Sequence, residues 1–353
     1  MTDTRREFLR VASAFTLSIP ALGLAVAACV EPRQQGGTKG QRPATPSVSN
    51  PDSKLDTGLV PGGGGAALPS AAAVQFRTYD PTLPPLSADR TYRINVHTRE
   101  APIRIDDDTV VAAWTFDGEM PGPILHCRVG DTVEVTLTND VVMPHSIDLH
   151  AAQVDPKTAF RSVTKGQSVS FTFTPKYAGA FLYHCGSAPV LLHLGSGMFG
   201  AIIVSPREPL PPAKEFVLVQ SELYLGASVG GIRPFDYQRM LETLPDFVVF
   251  NGRPDQYGRA PIRVTQGDRV RFWVVNAGPT HPCAFHVVGE QFDTVYLAAP
   301  PGNALHGVQT WSIPAGGGMC FELTADVVGE FVFVNHAFGH GQKGAIGRMI
   351  VEA

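Results

Sequence analysis

The chain has 353 residues and a formal net charge of −4, a length that suits about two domains of ~100–200 residues each. The mildly acidic balance argues against a nucleic-acid partner, because such proteins carry basic patches. Glycine and proline are abundant and only 17% of the residues are charged, which favours short strands separated by many turns.

The first 29 residues predict an export signal. TRREFLR contains the pair Arg5–Arg6, and the apolar run that follows is too short for a committed membrane span. VAAC at 26–29 resembles the lipobox of a bacterial lipoprotein, with Cys29 as the lipidated residue; the alternative is ordinary cleavage at an alanine beside an incidental cysteine. We therefore expect a twin-arginine-type lipoprotein signal peptide over residues 1–29 and an exported protein, in the periplasm or on the outer face of the cell membrane.

Residues 30–72 predict a flexible linker. They are rich in proline, glycine, serine and glutamine and contain almost no aromatic residue, a composition that cannot bury a core. A linker of this kind allows a protein held at a membrane by a lipid anchor to reach soluble partners.

Strand patterns dominate the rest of the chain. TVEVTLTN (132–139) and SVSFTFTP (168–175) alternate apolar and polar residues, which is typical of half-buried antiparallel strands. RVRFWVVN (269–276) and EFVFVNH (330–336) have a similar pattern, and neither half contains a long helical period. We therefore predict an all-β protein.

The two halves of the chain repeat one another. HSIDLH (145–150) aligns with HPCAFH (281–286), and GAFLYHC (179–185) aligns with GEFVFVN (329–335). Several short strands in each copy predict two tandem Greek-key β-sandwich domains. We place them at residues 73–205 and 206–353, because the segment PREPLPPAK between them interrupts any strand.

The stretch FLYHCGSAPVLLHLGSGM (181–198) brings several metal-binding side chains close together. One thiolate, two imidazoles and a weak thioether are the ligands of a blue-copper electron-transfer site. Cys185, His193 and Met198 supply three of them, and His145 supplies the second imidazole from another strand. The alternative is a buried thiol with incidental neighbours.

The second copy lacks this thiol, because Cys185 aligns with Asn335. That domain therefore cannot hold a thiolate-bound copper at the same position. His281 is expected to be a packing or hydrogen-bonded residue rather than a ligand, and His340 lies in a glycine-rich loop. Cys127, Cys283 and Cys320 are expected to be buried free thiols, with a disulfide left open in an exported protein.

Strand geometry predicts a second metal patch beside the first. Neighbouring side chains of a strand point to opposite faces, so His184 faces outward if Cys185 faces the interior. His145 and His150 are an odd number of residues apart, which places them on opposite faces of a regular strand. His150, His184 and Asp148 then share an outer patch, joined to the first site by one peptide link.

Two imidazoles are too few for a secure metal site, so a third is expected from the second domain. His336 and His286 stand out there. An imidazole from a neighbouring subunit would complete the site, and a head-to-tail contact that repeats closes a ring.

With these residues in place, the chain resembles the two-domain copper nitrite reductases over about residues 85–353. The motifs that carry the resemblance are MPHSIDLHAA, FLYHCGSAPVLLHLGSGMFGAIIV, FHVVGEQFDTVY and EFVFVNH. The resemblance implies two cupredoxin-like domains, a homotrimer, and one type 1 and one type 2 copper per subunit. It also implies the one-electron reduction of nitrite to nitric oxide and water. The electron would come from a small donor, a cupredoxin or a cytochrome c, and pass from type 1 to type 2 copper.

The resemblance assigns a role to each candidate residue. Asp148 and His286 are the catalytic pair, and Val288 is an aliphatic wall of the nitrite pocket. The remaining residues are metal ligands: His145, Cys185, His193 and Met198 for type 1 copper, and His150, His184 and His336, the last from the adjacent subunit, for type 2 copper.

Two other functions compete with this interpretation. A laccase-type multicopper oxidase needs paired H-x-H motifs and a second histidine after the cysteine, whereas the sequence contains no H-x-H and Gly186 follows Cys185. An electron-transfer or copper-carrying cupredoxin without catalysis is the other alternative. Copper content separates the three, at about two ions per chain for the reductase, one for a carrier and four for a laccase.

Overall fold

The computed structural model describes residues 70–353. The predicted signal peptide with Cys29, and the predicted linker up to residue 69, lie outside the described residues. At the end of the predicted linker, Ala71–Ala73 forms a single 3₁₀ turn. No helix among residues 70–353 is both long enough and apolar enough to cross a membrane.

The N-terminal half forms two facing sheets. Their elements are β1 Thr91–Arg104, β2 Val110–Phe116, β3 Leu125–Arg128, β4 Thr132–Asn139, β5 Asp148–Leu149, α1 Pro156–Ala159, β6 Ser168–Phe173, β7 Gly179–His184, α2 Val190–Gly195 and β8 Phe199–Ser205. One sheet contains the order β2-β1-β4-β6, and the other has the order β3-β8-β7-β5. The aromatic and aliphatic side chains between these sheets form one core.

The C-terminal half forms a second sandwich. Its elements are β9 Lys214–Leu223, β10 Ile232–Pro234, α3 Tyr237–Leu241, β11 Phe247–Phe250, α4 Gln256–Arg259, β12 Ile262–Thr265, β13 Arg269–Gly278, β14 Cys283–Val287, β15 Phe292–Ala298, β16 Asn303–Val308, β17 Thr310–Ile313, β18 Gly318–Thr324, β19 Gly329–Asn335, α5 Phe338–Gln342 and β20 Ile346–Glu352. The sheets have the orders β11-β9-β13-β18-β15-β16 and β12-β20-β19-β14-β17. β10 pairs with β2, so it extends a sheet of the other half.

The predicted all-β fold is confirmed. β4 begins and ends at the predicted residues, and its side chains alternate between half-buried and buried. This alternation arises because Val133, Val135 and Leu137 face the core of the N-terminal sandwich. Every α-helix among residues 70–353 has only four to six residues.

The prediction that β13 is half-buried was wrong. All of its residues after Arg269 are buried. Phe272 and Val274 lie in the core of the C-terminal sandwich, whereas Trp273 and Val275 belong to a second apolar cluster that includes side chains of the N-terminal half. The outer face of β13 therefore packs against the other domain instead of water, which an alternating pattern in one strand does not reveal.

Strand β7 positions the metal-binding candidates and is fixed by a buried tyrosine. Tyr183, one residue before His184, is fully buried, and its hydroxyl donates to the carbonyl of Pro123 at 2.7 Å. Its ring lies against the backbone of Gly200 in β8, so closely that an added Cβ would be 2.3 Å from the ring. A side chain at position 200 would therefore displace this tyrosine.

We expect Gly200→Ala to lower the free energy of unfolding by about 1–3 kcal/mol, the usual effect of overpacking a core. Chemical denaturation of the two proteins measures the difference. Gly339→Ala is the matched control, because a Cβ there meets nothing within 4 Å. Equal stability of the Gly200→Ala and wild-type proteins would contradict the close packing of Tyr183 against Gly200.

Candidate metal centres

His145, Cys185 and His193 converge in the interior of the N-terminal sandwich. Cys185 follows the last residue of β7, His193 lies in α2, and His145 precedes β5. The sulfur of Cys185 is 3.3 Å from Nδ1 of His193 and 3.7 Å from Nδ1 of His145, and the two Nδ1 atoms are 3.0 Å apart. All three side chains are buried. The structure thus brings together three donor atoms from three separate segments.

The charge state of this cluster suits a metal ion. Burial, with a smaller contribution from the charge of His193, lowers the pKa of His145 to about 3, and burial lowers the pKa of His193 to about 4. Both imidazoles are therefore neutral ligands at neutral pH. Burial raises the pKa of the Cys185 thiol, although hydrogen bonds from Ser146 and Ser187 oppose this effect. A thiolate at this position needs a cation beside it.

The backbone ties Met198 to the same cluster. The Cys185 N–H donates to the carbonyl of Met198 at 3.1 Å, and the Met198 N–H donates to the carbonyl of His193 at 3.3 Å. Met198 is fully buried. The fourth predicted ligand therefore lies in one hydrogen-bonded loop with two of the others.

Sequence reasoning missed the residues that hold this cluster in place. The Trp114 ring lies against both imidazoles, with centroid distances of 5.5 Å to His145 and 5.0 Å to His193. The Ser146 N–H donates to the Cys185 sulfur at 3.4 Å. Ser146 could have been inferred from the sequence, because it follows the proposed ligand His145. Trp114 lies far from every proposed ligand in the sequence, so no motif indicates its role.

Asp148, His150 and His184 form a second cluster nearer the surface. Their ligand atoms all lie within 4.8 Å of one another, and Asp148 is opposite His184 in the β5–β7 ladder. His150 Nδ1–H donates to the carbonyl of Gly316 at 3.1 Å, and His184 Nδ1–H donates to that of Cys185 at 3.0 Å. Both Nε2 atoms then carry lone pairs, yet they are only 3.2 Å apart. A cation between them would remove this repulsion.

The prediction that one histidine or cysteine of each pair faces the interior and the other faces outward is correct. The strand that carries the second pair is less regular than predicted. Cys185 is buried and His184 is only half-buried, as expected; His145 is buried and His150 is exposed. However, β5 contains only two residues, and His145 forms an isolated bridge to Val163. The ladder to β7 therefore begins only at Asp148, and His145 pairs with a different segment of the chain.

His286 and His336 form a separate pair on the C-terminal domain. Their ring centroids are 5.3 Å apart, and His286 Nδ1–H donates to the carbonyl of Gln309 at 2.6 Å. His336 is exposed. Within residues 70–353 of one chain, neither residue belongs to the group of His150 and His184. Val288, two residues after His286, is 48% exposed.

Comparison with known proteins decides the family. Sequence models described as multicopper oxidase match residues 97–209 and 215–351. The copper-containing nitrite reductase of Neisseria meningitidis serogroup A is 38% identical over 288 residues, which are 78% of this chain and 74% of that protein. The chain belongs to the copper-containing nitrite reductase family.

Solved structures of copper nitrite reductases have a similar fold. The one from Nitrosomonas europaea has a TM-score of 0.69 and 35% identity over 74% of this chain and 94% of that one. A second one, from Thermus scotoductus, has a TM-score of 0.69 and 29% identity over 74% of this chain and 62% of that one.

As a member of the copper-containing nitrite reductase family, the chain is a copper protein. The His145, Cys185 and His193 cluster fits a type 1 copper ion, because it offers one soft sulfur and two neutral imidazoles in a dry, preformed site. The second cluster offers only nitrogen and oxygen donors and is open to solvent, which suits a copper ion with an exchangeable ligand.

In the C-terminal domain, the amide of Asn335 takes the place of the Cys185 thiol. Asn335 is fully buried, and its Nδ2 donates to Oε1 of Gln220 at 2.7 Å. His281 is hydrogen-bonded, as expected, through Nε2 to the carbonyl of Thr243 at 3.0 Å. The expectation of buried free thiols is confirmed for three cysteines: Cys127, Cys283 and Cys320.

Proposed function

We propose that the chain catalyses the one-electron reduction of nitrite, in which NO₂⁻, one electron and two protons give NO and water. The observation that carries this proposal is the solvent-open pair of Nε2 atoms on His150 and His184, with the Asp148 carboxylate beside them. Cys185 of the first cluster is the next residue after His184. The proposed substrate-binding copper site and the proposed electron-transfer copper site are thus joined by one peptide unit.

Copper held by His150 and His184 would supply an open coordination position for nitrite and the reducing electron. The chain itself must provide two protons. Asp148 lies beside both imidazoles and is the first proposed donor. Nδ1 of His286 is occupied by the carbonyl of Gln309, so His286 exchanges protons through Nε2 and is the second. Val288 is the proposed aliphatic wall that limits the orientation of bound nitrite.

The proposed electron donor is a small redox protein, a cupredoxin or a cytochrome c. It would approach the first cluster through α2, which carries His193. Helices α2 and α3 pack together, and each presents an exposed aliphatic side chain, Val190 at 41% and Leu241 at 53% exposure. A small apolar surface of this kind favours a transient redox contact.

The proposed assembly is a homotrimer in which His336 completes the second cluster of the adjacent subunit. Three exposed apolar side chains support it: Val288, Trp311 and Phe338. The Phe338 ring lies 4.5 Å from the ring of His336, and Trp311 is paired with Phe285 on the neighbouring strand. Apolar side chains around one exposed and one half-buried imidazole are suited to a partner surface. A heterologous contact between identical chains closes a ring when three successive rotations complete a turn.

We expect His336→Ala to lose type 2 copper while it keeps type 1 copper and the visible colour. The substitution removes one imidazole from a three-imidazole site and leaves the buried cluster unchanged. Copper analysis and electron paramagnetic resonance measure the two ions separately. The matched control is His306→Ala, which removes an exposed imidazole hydrogen-bonded to Thr294. A wild-type monomer with full type 2 copper and activity would sink the shared-site assignment.

We also propose that the protein is exported and anchored at the membrane through a diacyl group on Cys29, which rests on the sequence of the first 29 residues alone. Cys29→Ala is expected to move the exported protein from the membrane fraction to the soluble fraction. Cell fractionation with immunodetection measures this, and Cys127→Ala serves as the control. Unchanged membrane association of Cys29→Ala would refute the anchor.

The reaction itself is tested with copper-loaded protein, nitrite and an artificial reductant. Nitric oxide is detected with an electrode, and copper content is measured in the same sample. Production of nitric oxide with about two copper ions per chain supports the proposal. Bound copper at this level without nitric oxide would instead indicate a copper-carrying or electron-transfer protein.

A further inference from the structure

A cavity of about 570 Å³ lies where the two sandwiches and the segment that connects them meet. Its lining comes from the N-terminal segment 82–86, from β3, from the connecting segment 205–215 and from β13. This volume is in the range of ligand sites, about 300–1,000 Å³. None of the proposed copper ligands or proton donors is among its lining residues, so the cavity is distinct from both metal clusters.

Hydrogen bonds between the walls of this cavity hold its shape. His126 Nδ1–H donates to the carbonyl of Pro84 at 2.5 Å, and its Nε2 is 2.8 Å from the hydroxyl of Ser205. The Leu83 N–H donates to the carbonyl of Glu215 at 3.0 Å. One imidazole of β3 therefore joins the N-terminal segment to the connecting segment, and the cavity is preformed.

The buried cation of the cavity is already neutralised. Arg271, whose side chain is 2% exposed, forms ion pairs with Glu215 and Glu322, and it also donates to the carbonyl of Pro211 at 2.8 Å. Trp273 Nε1–H donates to Glu215 at 2.7 Å. Because these polar groups are satisfied by one another, the Trp273 ring presents an apolar surface to the cavity.

The cations nearer the surface exceed the carboxylates beside them. Arg90 forms an ion pair with Asp131 at 2.9 Å, and Arg128 shares the same carboxylate at 3.5 Å. Arg207 and Lys214 also line the cavity, and neither forms an ion pair within the described part of the chain. This part of the lining therefore carries positive charge that the protein does not compensate.

Two of these guanidinium groups lie over the same glycine. A Cβ placed on Gly130 would be 3.0 Å from a guanidinium nitrogen of Arg207 and 3.5 Å from one of Arg90. Like charges this close repel one another. An anion between Arg90 and Arg207 would offset the repulsion, and the planar set of N–H donors on a guanidinium matches a carboxylate.

Apolar side chains cover much of the remaining lining. Leu83 and Leu86 come from the N-terminal segment, Leu210 comes from the connecting segment, and Trp273 comes from β13. A small inorganic anion would leave these side chains without a partner. A ligand that matches the whole cavity has one anionic group and a hydrocarbon body.

We propose that this cavity binds an amphipathic carboxylate, with the charged group between Arg90 and Arg207. The hydrocarbon body then lies against Leu210 and Trp273. The site does not depend on the proposed nitrite reduction. Such a ligand would contact the connecting segment and both sandwiches at once, so its binding stabilises the folded chain in proportion to its concentration.

The first test is calorimetric titration of the copper-loaded full chain with octanoate. We expect one saturable site per chain, and Arg207→Gln should weaken the affinity about tenfold or more, because a hydrogen bond to a charged group is lost. Arg161→Gln is the matched control. Arg161 is an exposed arginine outside the cavity that donates to the carbonyl of Ser168, so its removal changes the net charge equally but should leave the affinity unchanged.

The second test separates the two halves of the ligand. Acetate has the charge without the hydrocarbon body, and 1-octanol has the body without the charge, so each should bind about tenfold more weakly than octanoate or worse. Octanoate should also raise the midpoint of thermal unfolding of the wild type, and raise that of Arg207→Gln less. Copper content should be the same in both proteins.

Three results would overturn the proposal. The first is a folded wild-type protein that does not bind octanoate saturably. The second is equal affinity of the wild type and Arg207→Gln for octanoate, which would place any binding outside this cavity. The third is binding of acetate or 1-octanol as tight as that of octanoate, which would reject an amphipathic carboxylate as the ligand class.

Discussion

The copper-loaded Cys185→Ala protein is expected to be colourless while it keeps copper at the second cluster. Cys185 is the thiolate candidate that contacts two imidazoles, at 3.3 Å and 3.7 Å from its sulfur, and the visible band of a blue-copper site depends on a copper–thiolate bond. Without the sulfur, two neutral imidazoles and a thioether remain in a dry interior, where an uncompensated divalent ion is costly to bury. Copper content should therefore fall from about two ions to about one per chain.

Absorption spectroscopy with copper analysis measures this result, and Cys127→Ala is its matched control. Cys127 is a buried thiol in the same apolar core as Cys185, so its removal tests the cost of deleting a core sulfur without removing a ligand. The control protein should keep its colour. Persistence of the visible band in Cys185→Ala would mean that another residue carries the copper–sulfur bond.

Much of the fold and of both clusters was predictable because local patterns determine them. Alternation of apolar and polar residues correctly predicted the first and last residues of β4, because its apolar side chains all face one core. The opposite orientation of His184 and Cys185 follows from strand geometry alone, so one adjacent pair of residues predicts one buried and one outer ligand set. Spacing then added His193 and Met198, since both lie in the short loop and helix that follow the cysteine.

Other features depend on residues that are distant in sequence, and no local pattern contains them. The carbonyl of Gly316 orients His150 across a separation of 166 residues, and that of Gln309 orients His286. Backbone carbonyls have no residue signature, so the tautomers they select appear only in the folded chain. The burial of both faces of β13 likewise depends on the contact between the two sandwiches.

The position of Asp148 supports a role in proton delivery. It lies opposite His184 in the β5–β7 ladder, half-buried, while Leu149 beside it points into the core. Its carboxylate is therefore directed to the side where His150 and His184 present their Nε2 atoms. The alternative is that Asp148 only orients a ligand or the neighbouring loop, and the two roles make different predictions for the amide variant.

Asp148→Asn is expected to lower nitrite turnover by about 10²–10⁴-fold, the usual contribution of general acid–base catalysis. Asparagine keeps the shape and can hydrogen-bond to nitrite, but it cannot give and regain a proton. Both copper ions should stay bound, and the donor should still reduce type 1 copper. Asp155→Asn is the matched control, because Asp155 lies close by in the chain and caps α1, a task that asparagine also performs.

His286→Ala is expected to cause a comparable loss of turnover, again without loss of copper, because the proposed type 2 ligands are His150, His184 and His336 of the adjacent subunit, and His286 is not one of them. The double variant Asp148→Asn/His286→Ala should be little worse than the poorer single variant if the two groups serve one proton path. Measured rates against pH in H₂O and D₂O distinguish proton delivery from positioning, since only the former changes the pH profile and the solvent isotope effect. Near-normal turnover in Asp148→Asn with copper intact would reject the role, and loss of type 2 copper would assign Asp148 to orienting a ligand instead.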